Sequence, residues 1–292
     1  MKSFSEFHPV VLFTYFISLL VIAMFTSHPV IQLIAFVGFI LFASINEGNA
    51  NIKELIISLL IILIITLINP LFSKSGETVL IFINNKPITL ESLMNGLSTG
   101  TMIISVIYLM KSYSKVMTSD KFLFLFGSVI PKLAIVISIT LRFIPLFSEQ
   151  IKRVSAAQKT MGLYSGNKLS DKLRNGIRVF SSVITWSLEN AVLTAESMQA
   201  RGYGLKQRSN YSLFRFNASD AILLTMILTF SGIVLSGFPT QVTTYSFYPF
   251  MTDISIQPYA FTIYSFFAIL VFLPSIIEIR ENIRWKYFKS KI

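Results

Sequence analysis

LIISLLIILIITLINPLF, residues 55–72, runs eighteen positions without a charged side chain. As a helix it is about 27 Å long at 1.5 Å per residue. That length matches a bilayer hydrocarbon core about 30 Å thick, which takes about 20 apolar helical residues. Working outward, similar blocks recur on both sides. Upstream are Val10–Thr26 and Val30–Ile45, separated by Ser27, His28 and Pro29, a proline-bearing break that reads as a tight helical hairpin. Downstream are Leu93–Met110, which carries small Gly and Ser residues suited to close helix packing, then Ala221–Gly237 and Tyr259–Ile277. None of these six blocks contains Asp or Glu. Between the third and fourth, VLIFI and PITL flank Asn84-Asn85-Lys86 and read as a β-hairpin outside the membrane. The N-terminal stretch MKSFSEFHPVV lacks a basic region followed by a small-residue cleavage site, so the first block reads as a retained span.

The whole chain agrees with its blocks. Of 292 residues, 53% are hydrophobic and 13% charged, against roughly 25% charged in a soluble domain. The net charge of +11 would suit a nucleic-acid binder, but membrane proteins concentrate Lys and Arg on their cytoplasmic side, and no nucleic-acid partner is expected. Residues 150–216 hold eleven basic residues against Asp171, Glu189 and Glu196; 238–258 hold Asp253 and no Lys or Arg; the tail RENIRWKYFKSKI holds five basic residues. This alternation puts 150–216 and the C-terminus in the cytoplasm, and counting back from an outside hairpin at 73–90 puts the N-terminus there too. The expected fold is an all-α integral membrane protein: a polytopic helical bundle with long cytoplasmic helices and a small extracellular hairpin. Its regions are an N-terminal bundle at 1–110, a cytoplasmic and interfacial region at 111–216, and a C-terminal hairpin with its tail at 217–292. Within 111–150, KFLFLFGSVI is too short to span and reads as interfacial; Lys132–Phe147, with Arg142 and Pro145, reads as half-buried in the bundle with its end in water.

Several chemistries are excluded. With no Cys, disulfides, iron–sulfur clusters and thiolate zinc sites cannot form. His8 and His28, both preceding Pro, sit at opposite ends of the first span, about 30 Å apart. They read as helix-end residues, and no metal site or cofactor is expected. HExxH, Walker A, GxSxG and GxGxxG motifs are absent, and so are the intramembrane carboxylates of ion-coupled pumps. The chain therefore reads as non-catalytic.

Two helical patterns in the basic region run into glycine. The first covers about Leu133–Met161 and stops at Gly162. The second starts at Ser170-Asp171 as an N-cap and carries Leu173, Ile177, Phe180, Ile184, Leu188, Ala191, Ala195 and Met198 as one apolar stripe. It closes at Ala200-Arg201-Gly202-Tyr203-Gly204, with glycine for the left-handed position past a helix end. Arg201 has two readings: a cation that offsets the helix dipole for about 0.3–1 kcal/mol, or an exposed guanidinium that docks into a partner's carboxylate. Spacing does not decide between them.

A family resemblance does. ITLINPLF, a hairpin leading to ITLES, then ITLRFIPLFSEQIKRVSAAQ and ENAVLTAESMQARGYG, in this order from about residue 8 to 215, resemble the T component of energy-coupling factor (ECF) transporters, the EcfT/CbiQ-like family. The resemblance implies a membrane scaffold linking a substrate-binding S component to two cytosolic ATP-binding-cassette ATPases, in a prokaryotic plasma membrane, for vitamin or metal-ion uptake. It implies two coupling helices, each ending in Ala-Arg-Gly and seated in an ATPase groove. The second motif is intact as Ala200, Arg201 and Gly202; where the first would stand, the chain has Thr160, Met161 and Gly162. The turn glycine survives and the guanidinium does not, which implies one charge-assisted contact and one mainly hydrophobic one. Arg142 and Pro145, in LRFIP, also match; they are read as a kinked helix with a snorkelling Arg or, by the resemblance, as a brace between bundle and coupling helices. The rival reading is a stand-alone permease or channel whose basic segment lies along anionic lipid.

Overall fold

The computed structural model describes residues 3–47, 52–72, 76–83, 86–127, 130–162, 169–205, 214–240, 242–252 and 257–289. The chain is almost wholly helical. In order it forms α1 (Pro9–Phe25), α2 (Pro29–Glu47), α3 (Ile52–Phe72), β1 (Val79–Ile83), β2 (Lys86–Thr89), α4 (Leu90–Val116), α5 (Ser119–Gly127), α6 (Pro131–Thr160), α7 (Leu169–Ala200), α8 (Ala218–Leu235) and α9 (Pro258–Lys289). Among the described residues six helices are long and apolar enough to cross a membrane: α2, α3, α4, α6, α8 and α9. The expected set had α1 in place of α6; α1 has 17 residues, at the short end of what spans. The chain is a multi-pass, all-α membrane protein.

These elements form two compact units, one of Met1–Phe122 with Phe214–Ile292 and one of Leu123–Leu213. In the first, α2 packs between α4 and α9, α1 lies against α4 and α8, and α3 lies on α4. Fully buried Phe4, Tyr15, Ile263 and Phe267 fill the centre, with Phe4 edge-on to Tyr15 and Phe42 at ring distances of 5.3 and 5.7 Å. The small residues of α4 do what their size suggests. A Cβ on Gly96 would lie 2.9 Å from the Thr66 Cα of α3, so α3 and α4 touch backbone to backbone there.

Helix ends in this unit are closed by side chains from elsewhere in the chain. The buried Asp220 carboxylate accepts from the His8 N–H at 3.2 Å and from the Asn217 N–H at 2.8 Å, tying the starts of α1 and α8 together. Buried Lys121 donates to the last-turn carbonyl of Val116 at 2.7 Å and to the Ser5 carbonyl at 2.5 Å. It satisfies an end of α4 that would otherwise leave a carbonyl unpaired. His8 and His28 are indeed at helix starts, His8 capping α1 through its side chain.

The expected hairpin forms: β1 and β2 pair antiparallel, with Phe82 opposite Pro87. Asn84 and Asn85 of its turn lie outside the described residues. It is fastened to α4 by Glu91, whose carboxylate accepts from the Thr78 hydroxyl at 2.7 Å.

Residues 111–150 depart from expectation. KSYSKV continues α4 to Val116, and the short segment forms α5. Lys132–Phe147, expected as a half-buried segment, lies in the 30-residue α6, which follows the helical pattern read over Leu133–Met161 and has partly buried but no fully buried residues. Its apolar side chains, such as Ile135, Val136, Ile137, Ile139 and Ile144, are spread around the circumference. Of these, Ile135 and Ile139 are partly buried and lie on one face with Phe143 and Phe147, while Val136, Ile137 and Ile144 are exposed.

Candidate functional site at the ends of two long helices

α6 and α7 pack together as an antiparallel pair in the second unit. The first half of α6, from Ile135 to Arg142, lines one groove with Leu193–Arg201 of α7; Phe147, Ile151 and Ser155 line another with 176–187. Their contact face is modest. Asn175, Val179 and Val183 are the buried residues of α7, and Phe147, stacked on Phe143 at 5.7 Å, meets the Trp186 ring edge-on at 6.0 Å.

The apolar stripe read from the sequence is not this face. Leu173, Ile177, Phe180, Ile184 and Leu188 are 41–69% exposed. Ile177 is two residues from Asn175, about 200° around the helix, while Phe180 and Ile184 border the groove shared with Phe147 and Ile151 of α6; the stripe flanks the buried seam, with Leu173, Ile177 and Leu188 on its outer side. α7 also begins at Leu169, which puts Ser170 and Asp171 inside its first turn rather than at its cap. Lys168, Lys206 and Arg208 of the basic segment lie outside the described residues.

Both helices end in the same way. In α7 the Gly202 N–H donates to the Gln199 carbonyl at 2.9 Å and the Tyr203 N–H to the Met198 carbonyl at 3.0 Å. That pair of bonds satisfies the last carbonyls and requires a left-handed residue after the cap; Gly202 supplies it at φ +82°. In α6 the Gly162 N–H donates to the Lys159 carbonyl at 3.1 Å, with Gly162 at φ +73°. Met161 and Arg201 therefore occupy equivalent cap positions. Met161 is 74% exposed and Arg201 is exposed as well. Because the helices run antiparallel, the two caps lie at opposite ends of the pair, roughly 30–40 Å apart along α6.

Arg142 and Pro145 are exposed on α6. Pro145 removes one N–H from the helix ladder. Arg142 shares the groove of Arg201, a juxtaposition across 59 residues that no local pattern contains. Thr160 turns its hydroxyl back to the Ala157 carbonyl at 2.8 Å, while Ala200 and the two glycines bring no polar side chain to the helix ends.

The class these observations define is a multi-pass membrane protein carrying a pair of long helices with matched, glycine-turned ends. Comparison with known proteins narrows it. The family described as CbiQ, cobalt transport protein, matches residues 5–213. The energy-coupling factor transporter transmembrane protein EcfT of Listeria innocua is 30% identical over 186 residues, which are 59% of this chain and 70% of that protein. The protein of the same name from Staphylococcus aureus is 26% identical over 185 residues, 59% of this chain and 69% of that one. A third, from Bacillus selenitireducens, is 32% identical over 107 residues, 36% and 40% of the two chains. The chain belongs to the CbiQ family of energy-coupling factor T components, transporter subunits of the prokaryotic cell membrane.

Proposed function

We propose that this T component transmits ATP-driven motion from two cytosolic ABC-type ATPase subunits to a substrate-binding S component, which takes up a vitamin or a metal ion. The observation that carries the reading is Arg201. It caps α7 within an intact Ala-Arg-Gly and is exposed, and its guanidinium has no ion-pair or hydrogen-bond partner among the described residues. A guanidinium left free at a helix tip suits bidentate capture of a carboxylate on another protein.

The equivalent cap of α6 engages the second ATPase through Met161. A thioether fills an apolar groove and makes no charged contact, so the two dockings are unlike. The exposed stripe of α7 is covered by a membrane partner, the S component, because five large apolar side chains in a row stay out of water in a working assembly. ATP closure of the ATPases moves their grooves, the caps follow, and the helix pair turns that displacement into reorientation of the S component. Both termini and the α6–α7 ends are cytoplasmic in this reading, and the β1–β2 hairpin is extracellular. Arg142 and Pro145 stiffen the link between bundle and coupling helices.

The test is Arg201→Glu in a cell that carries the ATPases and an S component. The variant inserts into the membrane at the wild-type level and loses ATP-driven uptake. Uptake at the wild-type rate would defeat the proposal, as would solute movement by the purified chain alone in liposomes, the behaviour of a stand-alone permease. Co-purification of ATPase with Arg201→Ala and with Met161→Ala checks the asymmetry: the first loses more.

A further inference from the structure

Arg142 and Arg201 are on different helices and line one groove of about 380 Å³. Both are exposed, and among the described residues neither guanidinium has a hydrogen-bond or ion-pair partner. The ion pairs of Lys111 with Glu54 and of Arg153 with Glu149 lie elsewhere. Two cations in one groove with no anion between them repel each other, and an anionic occupant reverses the sign of that interaction. The rest of the lining says what kind of anion fits. Ser138, Thr194 and Ser197 supply hydroxyls, while Ile135, Ile139, Leu193 and Met198 make about half of the wall apolar. A mixed wall of this kind suits an acidic side chain presented on a protein surface better than a fully hydrated phosphate.

We infer that Arg142 is the second half of the ATPase-docking site at the α7 end, and that the two guanidiniums together receive acidic side chains of that ATPase. The inference rests on the docking reading above and extends it from one arginine to a pair contributed by both helices. It has a mechanical consequence. A carboxylate held by Arg201 alone pulls on the tip of α7; held by both, it clamps α6 to α7 at that end. The opposite end has Met161 at its cap, so clamping there lacks the charged element. The pair is then gripped at one end and carried at the other.

The experiment uses the chain co-expressed with its ATPases and purified in detergent, with ATPase retention titrated against NaCl. Wild type is compared with Arg142→Met, Arg142→Lys, Arg201→Ala and the Arg142→Met/Arg201→Ala double variant. Arg142→Met is expected to weaken retention about tenfold at low salt, with the deficit shrinking as salt screens the wild-type contact. Arg142→Lys recovers part of it, and the double variant loses less than the product of the single losses. Wild-type retention by Arg142→Met, beside a clear loss in Arg201→Ala, would overturn the paired site and leave the docking reading standing. A loss that ignores salt and is not recovered by Lys would mean that Arg142 only supports the helix packing, and would also overturn it. If Arg201→Ala too retains ATPase like wild type, the docking reading itself fails. Stabilisation by phosphatidylglycerol nanodiscs that vanishes in Arg142→Met, with ATPase retention unchanged, would assign the groove to a lipid phosphate instead.

Discussion

The bundle and the α6–α7 pair put their apolar side chains to opposite use. Around α1, α2 and α9, aromatic and aliphatic side chains are buried completely, and buried Asp220 and Lys121 close helix ends across more than a hundred residues of sequence. Along α7 the most regular apolar stripe in the chain stays exposed, and the seam against α6 is made of Asn175, Val179 and Val183. The difference teaches that the bundle completes its own packing, while the helix pair is a surface waiting to be covered. Regular amphipathicity reports that a helix face will be buried; it does not report by whom.

That contrast can be broken by measurement. The largest expected effect is in the bundle: Phe267→Ala removes a fully buried ring and costs about 3–5 kcal/mol, read as a large drop in the thermal midpoint of the detergent-purified chain. Next, Asp220→Ala leaves the His8 and Asn217 N–H groups without their acceptor and costs about 1–3 kcal/mol, on the same measurement. If either change left the midpoint untouched, the bundle would not be the self-sufficient unit described.

A pH effect comes third. His28 is 2% exposed, with its Nε2 3.0 Å from the Tyr264 hydroxyl and its ring edge against Tyr245. Burial holds its pKa below the ordinary 6.5. Between those two values the unfolded chain binds a proton that the folded chain refuses, so stability rises with pH through that window. It is fully present above pH 6.5 and declines as the pH falls below it. His28→Phe flattens this part of the pH–stability curve; an unchanged slope would place the titration elsewhere.

The smallest effect on the isolated chain is the one that sharpens the contrast most. Phe180→Ser, on the stripe at 67% exposure, shifts stability by about 0.5 kcal/mol or less. It is nevertheless expected to reduce recovery of the S component in pull-downs from membranes. A large stability loss from Phe180→Ser would mean that the stripe already packs within this chain.

Much of this was legible beforehand, in identifiable places. The uncharged run at 55–72 could only be a membrane helix, and α3 occupies it. The glycines after Met161 and Arg201 marked two helix ends that the structure closes with the same backbone turn. The stretch 111–150 was harder to read. The helical pattern Leu133–Met161 was read through Arg142 and Pro145, and α6 runs through both, since one missing N–H and one exposed guanidinium do not outweigh the remaining helical hydrogen bonds. The stripe on α7 was found, but its direction was not.

From the amino-acid order alone one obtains what each segment does about water and where each helix stops. Desolvation cost accumulates residue by residue, and a capping bond spans only a few positions. Contact between distant segments is of another kind. The grip of Asp220 on His8, the closeness of α3 to Gly96 and the sharing of one groove by Arg142 and Arg201 depend on how whole helices lie against one another. That is fixed by packing along their full lengths, and only the tertiary structure decides it.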